Sequence, residues 1–202
     1  MKMKWSTITL LLCTCMICIS LTGCGEKTEN SETLSIDTIK NVIIETGDND
    51  IIVDSTNTDE IKASITGYKG TLFIQDGDTV QIKLPMSKGG VHLSGPQPLH
   101  IYLPSNQIDS LTADSEYGDI QIESIITNMT LHTEYGSIAA SGLQGTIIAK
   151  TQSGEITSDS IPAADIIGGV GDVGASYSGT LGNSTTEHTI DLFSEYGNIE
   201  LN

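Results

Sequence analysis

The chain has 202 residues, with nine lysines, no arginine and 26 acidic residues, for a formal charge of -17. A nucleic-acid partner is excluded, since phosphate binding needs clustered Lys or Arg to displace counterions, and charge-driven docking on anionic lipid is disfavoured. Hydrophobic content of 38% is too high for a disordered acidic chain, and the scarcity of long apolar runs excludes a multi-span membrane protein.

Lys2 and Lys4 precede an apolar stretch from Trp5 to Leu21, which runs into Leu21-Thr22-Gly23-Cys24. A positive start, an apolar core and small residues before a cut are the parts of a secretory signal. The Leu-Thr-Gly-Cys ending resembles the lipobox of bacterial lipoproteins. That resemblance implies cleavage before Cys24 and a diacylglycerol on its thiol. Residues 1–23 are then a lipoprotein signal peptide and Cys24 is the lipidated N-terminus. An uncleaved anchor is the alternative, since about 17 apolar residues almost span a bilayer.

Cys13, Cys15 and Cys18 fall inside the signal, so the mature 179 residues keep only Cys24. No thiol is left for a disulfide, a zinc site or a nucleophile. Seven lysines against 26 acids give the mature chain a charge of -19. Gly25 to Asp37, GEKTENSETLSID, is polar and without periodic apolar positions. Residues 24–37 therefore read as the lipidated cysteine and a flexible tether.

Residues 38–202 are expected to be all-β. From Cys24 onward there are 25 Ile and 20 Thr against 12 Leu, a balance that favours strands. Val42-Ile43-Ile44, Ile51-Ile52-Val53, Thr71-Leu72-Phe73-Ile74, Val80-Gln81-Ile82 and Ile101-Tyr102-Leu103 are strand-length runs. Asp76-Gly77 between two of them predicts a hairpin whose turn needs positive φ. Pro85, Pro96, Pro98 and Pro104 bracket a looser region.

The second half repeats. Ser115-Glu116-Tyr117-Gly118-Asp119-Ile120 is followed by Thr133-Glu134-Tyr135-Gly136-Ser137-Ile138 and Thr151-Gln152-Ser153-Gly154-Glu155-Ile156, at intervals of 18 residues. Ile125, Leu143 and Ile161 keep the same spacing. Gly171-Asp172-Val173 continues the series after 17, and Ser194-Glu195-Tyr196-Gly197-Asn198-Ile199 closes it after 26. That last interval predicts an insertion of about eight residues within Ser176–Glu187. A fixed period of this length is the mark of a β-solenoid, or β-helix-like stack, with coils of about 18 residues. Each coil has room for about three short strands and three corners, with the glycine at a corner that a Cβ would obstruct. The N-terminal half is less regular β. An antiparallel sandwich is the competing architecture.

These repeats, with the Asp76-Gly77-Asp78 hairpin and Ile101-Tyr102-Leu103-Pro104, resemble the bacterial putative-adhesin domain family. The resemblance covers roughly residues 38–202. It implies a β-solenoid-like domain on an exported or membrane-anchored protein and supplies no catalytic residues.

The chain shows no catalytic constellation. His92, His100, His132 and His188 form no HExxH and no i, i+4 pair. There is no Gly-x-Ser-x-Gly elbow and no phosphate-binding loop. Polysaccharide hydrolysis needs a marked carboxylate pair, and none stands out. Asp48, Asn49, Asp50 and Asp54, with Asp76 and Asp78, suit either calcium or tight turns, and the turn reading is preferred. Neither a metal nor a cofactor is expected.

Two columns are the candidate site. Glu116, Glu134 and Glu195 share one repeat position, forming a row whose like charges need solvent or a cation. Tyr117, Tyr135 and Tyr196 share the next, with Ser153 breaking the column. Stacked tyrosines are either internal packing or an exposed platform for sugar rings, and the glycine corner leaves their direction open. The sequence thus points to a lipid-anchored envelope protein presenting a non-enzymatic binding surface to a cell-wall glycan, a surface polymer or another envelope protein. The alternative is an envelope-stress or signalling accessory contacting a membrane protein.

Overall fold

The structure, a computed structural model, describes residues 28–85, 97–159, 175–181, 188–197 and 199–201. The proposed signal and Cys24 lie outside these residues. The strands are β1 (Glu29–Ser35), β2 (Asn41–Thr46), β3 (Ile51–Thr56), β4 (Glu60–Thr66), β5 (Phe73–Asp76), β6 (Thr79–Leu84), β7 (Leu99–Pro104) and β8 (Ser110–Ser115). They continue with β9 (Ile120–Glu123), β10 (Asn128–Thr133), β11 (Ile138–Ser141), β12 (Ile147–Thr151), β13 (Ile156–Ser158), β14 (Ala175–Leu181), β15 (His188–Ser194) and β16 (Ile199–Leu201). One sheet runs β1-β4-β7-β3-β9-β11-β13-β16 and the other β14-β15-β12-β10-β8-β2-β6-β5.

Each coil contributes one strand to each sheet, and successive coils pair in parallel. The 18-residue period becomes register: Ile120 faces Ile138, which faces Ile156. On the second sheet Leu111 faces Met129, which faces Ile147. These residues are buried between the sheets, where like stacks on like at the ~4.8 Å strand spacing. A coil has two strands rather than three. Among the described residues its third side narrows to a single bridge, Ile126 with Gln144, below which Ile125 and Leu143 are buried. Ile161, expected on this column, lies outside the described residues.

Three expectations change. First, the segment read as a tether is strand from Glu29 to Ser35, antiparallel to β4. It lacks an apolar period because polar groups hold it: the Asn30 side-chain amide donates to Gly70 O at 2.7 Å, and Glu32 Oε2 accepts from Leu72 N at 3.1 Å. Second, no further coil lies between those of Gly154 and Gly197. The strand β15 pairs directly with β12, and β16 with β13, so Gly197 stacks on the coil of Gly154, 43 residues earlier. Gly171-Asp172-Val173 itself lies outside the described residues. Third, the insertion is 25 residues beyond the period (43 less 18), and part of Ser176–Glu187 is the antiparallel edge strand β14.

The N-terminal half is also solenoid, but its coils are stacked out of chain order. The coil of β2 and β3 lies between that of β6 and β7 and that of β8 and β9. The expected hairpin at Asp76-Gly77 is present between β5 and β6, with Gly77 at φ 62.

Candidate functional site

The site is a corner of the solenoid, and its backbone explains its sequence. Here the second-sheet strand turns into the first-sheet strand of the same coil. The backbone ladder runs straight through the turn: Tyr135 N donates to Glu116 O at 3.0 Å, Ser153 N to Glu134 O at 2.8 Å and Tyr196 N to Gln152 O at 2.8 Å. Such close stacking leaves no room at the glycine. A Cβ on Gly118 would overlap Asn49 O, and on Gly136, Gly154 or Gly197 it would overlap the glycine oxygen one coil below. None of these four glycines has positive φ, so close approach alone selects the residue.

A column of buried hydroxyls locks the corner from inside: Thr46, Ser115, Thr133, Thr151 and Ser194. Thr133 Oγ1 accepts from Gly136 N at 3.0 Å and donates to Gly118 O at 3.1 Å. Thr151 Oγ1 donates to Gly136 O at 2.9 Å, and Ser194 Oγ to Gly154 O at 2.9 Å. Among the described residues, no buried side-chain nitrogen or oxygen lacks a partner. Sequence reasoning missed this column, although the Ser or Thr opening each repeat unit spells it out.

With the hydroxyls inside, the tyrosines stand outside. Tyr117, Tyr135 and Tyr196 are 53%, 51% and 60% exposed, which answers the question of direction. Tyr117 and Tyr135 stack with ring centroids 5.0 Å apart and planes inclined by 12°. Glu116, Glu134 and Glu195 lie beside them, Glu134 exposed and the other two half-buried. Gln152 interrupts the acidic row in the coil where Ser153 interrupts the rings.

The carboxylates act on the phenols. Glu116 holds the Tyr117 hydroxyl above its ordinary value of 10.0, chiefly through its negative charge. Glu195 raises Tyr196 by accepting a hydrogen bond from its hydroxyl and by its charge. The neutral phenol is therefore the state the fold favours. Its stabilising contribution is fully present below pH 10 and is lost as pH rises through the raised folded value. In Glu116→Gln the Tyr117 phenol is expected to ionise at a lower pH than in the wild type. An NMR titration of its ring carbons measures this, and an unchanged midpoint would contradict the assigned cause.

On the second-sheet side, two shallow hollows of about 550 and 260 Å³ follow the column, and Glu134 lines both. Two side-chain pairs lie on this face: Lys83 pairs with Glu45, and His132 Nδ1 lies 2.9 Å from Asp114 Oδ2. Of the aspartates weighed for calcium, Asp50 acts as a cap, its Oδ1 accepting from Asp119 N at 3.0 Å. One coil on, Asp119 Oδ1 accepts from Ser137 N at 2.7 Å in the same way. Among the described residues, no group of three or more His, Cys, Asp or Glu side chains is placed to hold a metal ion.

Residues 39–202 match the family model Toastrack DUF4097. The chain belongs to this family. The two-sheet stack is thus a Toastrack fold, in keeping with the resemblance drawn from the repeats. The Toastrack chain is also similar to a crystal structure of a putative cell adhesion protein from Clostridium sporogenes ATCC 15579, with TM-score 0.55 and 11% identity. That match covers 87% of this chain and 99% of the other, and at this identity it establishes a shared fold. No curated protein matches the chain.

Proposed function

We propose that this protein is a non-enzymatic binding module of the bacterial cell envelope, held to the membrane by lipid on Cys24, and that its tyrosine corner binds cell-wall glycan. The observation that carries the reading is the exposed, stacked column of Tyr117 and Tyr135, continued by Tyr196. Buried hydroxyls and close-packed glycines hold that column rigid. Rings fixed in register on a rigid backbone lose little entropy when a ligand stacks on them. A putative adhesion role for the Clostridium sporogenes protein is consistent with this use of the fold.

The strand order supports outward presentation. Four residues separate Cys24 from β1, a reach of ~17 Å over the intervening Cα steps, so a lipid there would hold the β1 end of the stack near the membrane. The coil of Tyr117 lies four strands further along its sheet, ~19 Å away, and Tyr196 is on the far coil.

The test is co-sedimentation of the full chain, in mild detergent, with purified cell-wall sacculi. Saturable binding is expected for the wild type. The Tyr117/Tyr135/Tyr196→Ala variant should lose it while keeping its circular dichroism spectrum, because the rings face solvent. A wild type left in the supernatant overturns the glycan reading and turns the search to a membrane protein partner. Palmitate labelling that is equal in wild type and Cys24→Ala would overturn the anchoring.

A further inference from the structure

The tyrosine column has one interruption, and its geometry is specific. Ser153 stands where the neighbouring coils carry Tyr135 and Tyr196, yet the backbone ladder continues unbroken on both sides of it. Tyr135 and Tyr196 are therefore two strand spacings apart, ~9.6 Å. The Tyr117–Tyr135 pair uses 5.0 Å per stacked ring. The gap above Ser153 thus has the thickness of one ring, with a tyrosine on either side.

The surroundings of the gap are polar. The 260 Å³ hollow opens beside it, lined among others by His132, Glu134, Lys150, Gln152, Phe193 and Glu195. Half-buried Ser153 adds a hydroxyl at the base. A purely apolar ring placed here would desolvate these groups without pairing them, at a cost. A sugar ring offers apolar faces to the tyrosines and hydroxyls at its edge to the polar groups. The two carboxylates, Glu134 and Glu195, are acceptors only. They favour donors such as hydroxyl, amide N–H or ammonium, and they repel an anionic sugar. The chain's charge of -17 acts in the same direction.

We propose that the gap over Ser153 is a subsite for one pyranose ring of a neutral or amino-bearing glycan, clamped between Tyr135 and Tyr196. The proposal rests on the glycan-binding reading and adds to it a position, a stoichiometry of one ring and a charge preference.

Isothermal titration of the full chain with three trisaccharides tests it: β-1,4-linked N-acetylglucosamine, its deacetylated form and galacturonic acid. The first two should bind, and the third should not. Ser153→Tyr fills the gap with the side chain that the neighbouring coils carry. It should weaken the neutral trimer at least about tenfold with an unchanged or raised melting temperature. Tyr196→Ala removes one jaw by another route and should give the same loss, so the test survives a Ser153→Tyr variant that does not fold. Wild-type affinity in both variants, equal binding of the uronic trimer, or no binding of any trimer overturns the proposal. If Ser153→Tyr sediments with sacculi like the wild type while the triple alanine variant does not, the clamp falls and the platform stands. If the wild type binds neither sacculi nor trimers, both fall.

Discussion

Gly136→Ala is expected to lower folding stability by about 3 kcal/mol or more, read as a shift in the denaturant midpoint. The added Cβ would overlap Gly118 O, and relief requires parting two coils joined by parallel ladders, from Asn128–Thr133 to Ser110–Ser115 in one sheet and from Ile138–Ser141 to Ile120–Glu123 in the other. Overpacking a rigid interior typically costs about 1–3 kcal/mol and sometimes more. Here the obstruction is backbone, which cannot swing aside. Gly77→Ala is the control. Its Cβ meets nothing within 4 Å, and the penalty comes only from φ 62, about 1–2 kcal/mol. If the two variants lose equal stability, close coil stacking is not what selects glycine at the corner.

Thr133→Val should cost about 2–4 kcal/mol, measured in the same way. Valine keeps the shape but removes the oxygen that accepts from Gly136 N and donates to Gly118 O, both in buried bonds. A buried donor and a buried acceptor are then stranded, each at about 1–3 kcal/mol with partial relief. Thr133→Ser keeps the hydroxyl that Ser115 and Ser194 use at the equivalent positions. It should lose only a buried methyl, about 1 kcal/mol. A valine variant as stable as the serine variant would show that the hydroxyl column contributes shape and not bonding.

Much of this architecture was legible in the sequence. Ile120, Ile138 and Ile156 announce their register because parallel coils of constant length convert spacing directly into stacking. The corner glycines are legible for the same reason. The tyrosine direction was not, because it depends on how the chain turns across Gly118. The hydroxyl column was printed in every repeat unit, yet Ser and Thr are abundant and their role appears only when the glycine carbonyls of the next coil are in place. The first coil hides its kinship. Thr46-Gly47-Asp48-Asn49-Asp50-Ile51 underlies Ser115 to Ile120 in the stack, but it shares only Asp and Ile with it, and Asn49 replaces the glycine. Asn49 faces Gln97, whose carbonyl it reaches with its side-chain amide at 2.7 Å. Strand β1 was hidden because its anchors, Asn30 and Glu32, are polar. Coil order is invisible from any local pattern, since it is written in pairings between distant residues.

The displaced first coil has a kinetic consequence. Asn41 bonds Thr79 across 38 residues and Ser110 across 69, whereas His132 reaches Asp114 across 18. Closing the longer of these loops costs ~1 kcal/mol more entropy than closing the shortest, so the C-terminal coils nucleate sooner. Synthesised first, β2 and β3 can pair with β6 and β7 on one edge, but their other edge stays open until β8 and β9 are available. The leading coil is therefore covered on both edges only after Glu123, the end of β9, has been synthesised.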